Sequence, residues 1–218
     1  DIETTCAVPM CSGGCRHGLN ARANRITVIG AVSFDGKEKL VFRSNTAFIR
    51  WFATTQPRLI CHGGRFDIQQ LRYHYPELVR MGLLEPETCY FMDTSILAKV
   101  HAHQIPPDWL DSYEAKRRQL IKDGDGQHRK ARGVSLKTLA PYHLGVEPFW
   151  EAKVHDDDEY VIKDTEYTLR LYKHLLNYCS SDEINFCKNH LMPWSWVLIR
   201  AEERGVMIDK DLLEKKRA

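Results

Sequence analysis

The sequence predicts an α/β fold, and three observations carry that prediction. Residues 25–34 form a β-rich run, closed by the hairpin signal Asp35-Gly36 and a returning strand at Leu40, Val41 and Phe42. Two more short strand candidates, residues 59–62 and 90–92, each run straight into residues of helical spacing. The C-terminal half is then almost wholly helical in pattern. Strands alternating with helices, without internal repeats or low-complexity tracts, are the mark of an α/β chain.

In chain order, residues 1–5 read as the end of a strand. Asn45 is placed to cap a helix carrying Phe48, Ile49, Trp51 and Phe52. Leu59, Ile60, Cys61 and His62 suggest a short buried strand. The next helix begins at residues 66–71, with Phe66, Gln70 and Tyr73 at helical spacing. Residues 90–92 are a strand that leads into Asp93, which is expected to cap the helix after it. Ser135 opens a short amphipathic helix that ends near Gly145. A long helix follows the acidic run Asp156, Asp157, Asp158 and Glu159, which suits the positive end of a helix dipole. Its expected packing stripe is Val161, Thr165, Thr168, Tyr172 and Leu175, beside a row of Tyr160, Asp164, Tyr167 and Leu171.

A chain of 218 residues can bury one large core, or one domain and part of another. The formal charge of +2 does not announce a nucleic-acid binder, so any basic surface must be local. No run reaches the length of a transmembrane helix, and no signal peptide is visible, so a cytoplasmic location without membrane contact is expected. Seven cysteines are an odd number, which fits mostly reduced thiols.

Three short motifs carry the chemistry: Asp1-Ile2-Glu3-Thr4-Thr5, His62-Gly63-Gly64-Arg65-Phe66-Asp67 and Tyr160-Val161-Ile162-Lys163-Asp164. On a strand, Asp1 and Glu3 point to one face. On a helix, Tyr160 and Asp164 stack one turn apart. Carboxylates converging from separate elements make a hard-oxygen site suited to Mg²⁺ or Mn²⁺. Two such ions, roughly 3.5–4 Å apart, can clamp both the attacking and the leaving oxygen of a phosphodiester.

In this order, the motifs resemble the DEDD superfamily of 3′–5′ exonucleases, in the subclass with a tyrosine in the third motif. Residues 160–175 are similar to the third exonuclease motif of family A DNA polymerases, the bacterial DNA polymerase I type. Residues 93–98 and 135–145 resemble intervening segments of the same domain. The tail, from Leu191-Met192-Pro193-Trp194 to Arg204-Gly205-Val206-Met207-Ile208-Asp209, resembles the start of the polymerase domain that follows. The resemblance implies a ribonuclease H-like mixed β-sheet flanked by α-helices. It implies an exonuclease domain at 1–190 and the start of a truncated polymerase domain at 191–218. The implied activity is proofreading: removal of nucleotides from single-stranded or mismatched DNA 3′ ends. Asp1, Glu3 and Asp164 would hold one Mg²⁺ or Mn²⁺, Asp1 and Asp67 would serve the second, and Tyr160 would orient the attacking water. An RNase D-like exoribonuclease and a non-catalytic nucleic-acid-binding scaffold are the alternatives.

The chain departs from the family pattern in three places. Gly63 stands where family members often carry Asn. The segment after the first motif is long and cysteine-rich, and residues 101–133 look like an insertion. Lys116, Arg117, Arg118, Lys122, Arg129, Lys130 and Arg132, with Trp109 and Tyr113, suit either a single-strand track or a solvated helix and loop. Cys6, Cys11, Cys15 and His17 are either a zinc set of unfamiliar spacing or free thiols. Cys61, Cys89, Cys179 and Cys187 read as small buried hydrophobes. His62 is read either as a substrate contact or as a strand-end structural residue, and Trp194 and Trp196 as core residues on a helix. Asp1 has no strand residue before it, so fraying of this ligand and weak activity are expected.

Overall fold

The structure is a computed structural model that describes residues 1–6, 21–101, 105–122, 134–147 and 157–205. Three antiparallel strands form the first sheet in the order β1 (Ile2–Cys6), β2 (Asn24–Val32) and β3 (Lys39–Phe42). Ile2 stands opposite Ile29, and Glu3 opposite Val28. Ile2 and Ile29 are buried in the main core, so alternation carries Asp1 and Glu3 on the other face. The register slips between Glu3 and Thr4, which leaves Thr27 as the extra residue of a β-bulge. The Thr27 hydroxyl donates to the Glu3 carbonyl at 3.1 Å and closes that bulge.

Helix α1 (Asn45–Thr55) follows the hairpin, with Phe48 and Phe52 buried. Ser44 caps it rather than Asn45. Ser44 has the extended backbone an N-cap needs, and its Oγ accepts from the Ala47 N–H at 3.4 Å. Asn45 is already helical, and its side chain accepts a 3.3 Å bond from the Tyr75 hydroxyl.

The second sheet is a parallel pair, β4 (Leu59–Cys61) and β5 (Phe91–Asp93). A parallel pair needs a crossover, and α2 (Gly64–His74) and α3 (Pro76–Arg80) supply it. β4 is half-buried along its length, not buried as expected, because β5 is its one hydrogen-bonded neighbour among the described residues. The buried face of α2 is Asp67, Ile68, Gln70 and Leu71, while Tyr73 is exposed. The expected stripe of Phe66, Gln70 and Tyr73 therefore misses by a fraction of a turn. The result is an α/β arrangement of small sheets flanked by helices.

Asp93 caps α4 (Thr94–Val100) as the sequence predicts. Helix α5 (Pro107–Lys122) follows, then α6 (Leu136–Leu144), which begins after Ser135 and ends at Gly145 as expected. The long helix α7 (Asp157–Leu176) buries Val161, Asp164, Thr168, Leu171 and Leu175. Thr165 and Tyr172, expected in the stripe, are half-buried instead. The acidic run at its start is tied down where described: Asp158 pairs with Arg43 at 2.7 Å and Glu159 with Lys163 at 2.6 Å.

The chain continues through α8 (Ser181–Phe186), a π-helical turn (Cys187–Leu191) and α9 (Met192–Arg204). Trp196 is buried and meets Phe91 edge-on at 5.9 Å, whereas Trp194 is 59% exposed. Two residues apart on a helix, the pair faces opposite ways, so only Trp196 meets the expectation of a core residue. Arg72 reaches across to Glu203 at 2.5 Å and to Glu85 at 3.2 Å, which fastens α9 to α2.

The position of α7 depends on Gly30. A Cβ at that residue would lie 2.9 Å from Val161 Cγ2, 3.0 Å from the Val161 carbonyl oxygen and 3.1 Å from Thr165 Oγ1. One of those neighbours is helix backbone, which cannot rotate aside. Gly30→Val is therefore expected to cost about 1–3 kcal/mol through overpacking. Denaturant unfolding measures it, and an unchanged midpoint would mean that α7 does not rest on β2 in this way.

Candidate metal centre

β1 and α7 bring the first and third motifs together. One carboxylate oxygen from each of Asp1, Glu3 and Asp164 lies within 4.8 Å of the other two. Asp1 is exposed, Glu3 half-buried and Asp164 9% exposed, so the group opens to solvent on one side. Asp1 is not frayed. Its α-amino group donates to the Gly30 carbonyl at 2.9 Å, and the Gly30 N–H donates back to the Asp1 carbonyl at 3.0 Å. Three carboxylates this close repel one another, and a divalent cation among them converts repulsion into coordination.

Asp67 stands outside that close set, buried in the first turn of α2. Burial pushes its carboxyl up to about 7, the nearby Asp93 charge adds to the rise, and the α-amino group of Asp1 opposes it. A buried carboxyl poised between its two protonation states is a group that a cation would discharge.

Tyr160 lies one helical turn before Asp164 and is half-buried. Its hydroxyl oxygen accepts a 2.6 Å hydrogen bond from Lys137 Nζ on α6, and the same ammonium stands 5.3 Å from the ring centroid. An ammonium can only donate, so the phenolic proton remains for another acceptor. Lys137 was not singled out in the sequence. It is one lysine in an amphipathic helix, and only the packing of α6 on α7 gives it meaning.

The second motif is organised from beneath by Asp93. Its carboxylate accepts from the N–H groups of Gly63 (3.1 Å), Gly64 (2.8 Å) and Ser95 (2.8 Å). One buried acid thus caps α4 and also holds the turn that starts α2. Gly63 takes φ +77° there, a left-handed conformation that glycine and asparagine tolerate best. Burial pulls the His62 pKa down; Nε2 donates to the Val134 carbonyl at 3.0 Å, and Nδ1 lies 2.8 Å from the Thr94 hydroxyl, which also reaches the Cys61 carbonyl at 3.1 Å.

The aromatic residues of the insertion are used in packing. Trp109 stacks on Tyr113 at 4.9 Å and meets Tyr142 edge-on, and the buried Tyr113 donates its hydroxyl to the Lys137 carbonyl. Lys116 pairs with Glu147 at 2.7 Å, and Arg118 is exposed. The side chains of Arg117 and Lys122, and residues Arg129, Lys130 and Arg132, lie outside the description. So do Cys11, Cys15, His17 and the Cys6 side chain. Cys89, Cys179 and Cys187 are buried as expected, while Cys61 is half-buried. No helix among the described residues is long and apolar enough to cross a membrane.

Compared with protein-family models, curated proteins and solved structures, the chain matches none.

The raised carboxyl of Asp67 has a measurable consequence. Its folded value of about 7 exceeds the ordinary 3.8, so the folded state binds the proton more tightly. That contribution to stability is full at low pH and is lost as the pH rises to about 7. In chelator, Asp67→Asn is expected to match the parent near pH 4 and to be about 1–4 kcal/mol more stable near pH 8. Mn²⁺ should then restore the parent and not the variant. Identical pH profiles would remove Asp67 from the buried, electrostatically strained position assigned to it.

Proposed function

We propose that this protein is a metal-dependent 3′–5′ exonuclease of the DEDD type with a catalytic tyrosine. Its proposed substrate is a single-stranded or mismatched DNA 3′ end, and its context is proofreading beside a covalently linked family A polymerase domain. The arrangement proposed for the strands and helices is ribonuclease H-like. One observation carries the reading. Asp1 and Glu3 from β1 and Asp164 from α7, far apart in sequence, have their carboxylates within 4.8 Å of one another. Nothing in the packing of an apolar core calls for that convergence.

Asp1, Glu3 and Asp164 would hold one divalent ion, and Asp1 with Asp67 the second. When bound, Mg²⁺ or Mn²⁺ would supply charge that offsets the phosphate and would lower the pKa of a water. Asp67 would be drawn into its ionised form. Tyr160 would position the attacking water through its phenolic proton, because Lys137 occupies a lone pair of its oxygen. Lys137 acts here as a positioning residue: it fixes the tyrosine hydroxyl by donating to its oxygen.

The direct test is a 5′-labelled single strand with the purified protein in Mg²⁺ or Mn²⁺. Stepwise shortening from the 3′ end is expected, with a mismatched duplex end cut faster than a matched one and DNA faster than RNA. Asp164→Ala should abolish turnover without unfolding the chain. Full activity in chelator or in that variant would overturn the reading, and a strong RNA preference would favour the exoribonuclease.

Tyr160→Phe and Lys137→Met should each lower turnover about tenfold or more while leaving DNA affinity nearly unchanged. Single-turnover rates and binding constants separate the two quantities. Unchanged rates in both variants would return the pair to a packing role.

A further inference from the structure

A second group of ligand-type side chains lies at the junction of α4, α7 and α8. His101 follows α4, Cys179 follows α7, and Glu183 is in the first turn of α8. One ligand atom from each lies within 4.8 Å of the other two. We propose that His101, Cys179 and Glu183 bind a zinc-type divalent cation that fastens the end of α4 to the start of α8.

The donor chemistry distinguishes this group from the carboxylate centre. A thiolate, an imidazole and one carboxylate suit Zn²⁺ or Co²⁺ and not Mg²⁺. The His101–Glu183 spacing is close to what a tetrahedral ion needs. His101 Nδ1 and Glu183 Oε1 are 3.1 Å apart. Two ligands each about 2.0–2.2 Å from zinc span roughly 3.3–3.5 Å at a tetrahedral angle, so these two would part by a few tenths of an ångström, and the Cys179 sulfur lies within 4.8 Å of both.

Each ligand is also held from behind. Glu183 Oε2 accepts from the Ser180 N–H at 2.7 Å and the Ser180 hydroxyl at 2.9 Å, which turns Oε1 toward His101. The His101 N–H bonds the Leu97 carbonyl at 3.1 Å, and the Cys179 N–H bonds the Leu175 carbonyl at 2.9 Å. Such backing reduces the ordering cost of binding.

Without an ion the thiol has poor company. Burial, then the Glu183 charge and the neighbouring Cys187 thiol, push Cys179 up to about 11. The Glu183 charge raises Cys187 as well, after burial. Cation binding would release the Cys179 proton to solvent, leave the His101 ring neutral with its proton on Nε2 and any second ring proton released, and replace the His101–Glu183 contact with two coordinate bonds. Three protein ligands leave the fourth position to water.

The test is Co²⁺ titration of the chelator-treated protein in a thiol-free reductant. One equivalent should give thiolate-to-cobalt absorption in the near ultraviolet, which carboxylates alone do not produce. Cys179→Ser should abolish that band, while the triple variant Cys6→Ser, Cys11→Ser and Cys15→Ser should keep it. Glu183→Gln retains an acceptor for the Ser180 cap, so it should fold normally and weaken Co²⁺ about tenfold or more. No band in the parent protein, a band that survives Cys179→Ser, or unaltered affinity in Glu183→Gln would overturn the proposal. Exonuclease activity is not part of the readout, so the two metal assignments stand or fall separately.

Discussion

Helix α7 can lie against β2 only because residue 30 has no side chain. The approach at Gly30 leaves less than a methyl group's room to Val161 and Thr165. Because β1 is the hydrogen-bonded neighbour of β2, the same approach sets the distance between α7 and β1. Asp164, one turn beyond Val161, therefore arrives beside Asp1 and Glu3. Gly30 also exchanges both backbone hydrogen bonds with Asp1. A single small residue thus fixes the strand end that carries one carboxylate and admits the helix that carries another.

Buried charge is managed differently at three acids of the same region. Asp93 is satisfied internally by three N–H groups and serves as a structural joint between the two β–α turns. Asp67 is buried nearby, and its carboxyl is raised to about 7 by desolvation and the Asp93 charge. Asp164 sits at the margin of the buried face in the company of two other carboxylates. Asp93 is a finished interaction within the chain, Asp67 carries the cost of a buried carboxyl, and both Asp67 and Asp164 belong to the motifs from which nuclease chemistry was inferred.

Strand and helix positions were largely legible because hydrophobic period and turn chemistry are local signals. Asp35-Gly36, Ser135, Gly145 and Asp93 all mark the boundaries that the structure has. The failures were of facing. Tyr73 and Trp194 turned out exposed, and Thr165 and Tyr172 only half-buried. Which side of a helix is covered depends on what packs against it, and a rotation of a fraction of a turn exchanges neighbouring rows. Aromatic residues near basic ones were ambiguous in the sequence. Trp109 and Tyr113 serve the α5–α6 contact, which composition alone does not distinguish from a stacking surface.

The sequence by itself determined the α/β pattern, the strand that pairs Asp1 with Glu3 on one face, and the helix that stacks Tyr160 over Asp164. These follow from backbone periods of two and of 3.6 residues, which act over a few positions. Tertiary structure alone decided that β1 and α7 meet, that Lys137 holds the Tyr160 hydroxyl, and that Asp67 is buried beside Asp93. It alone brought His101 to Cys179 and Glu183, 78 and 82 positions further along the chain. Such encounters depend on the close packing of elements remote in sequence, and no local period encodes them.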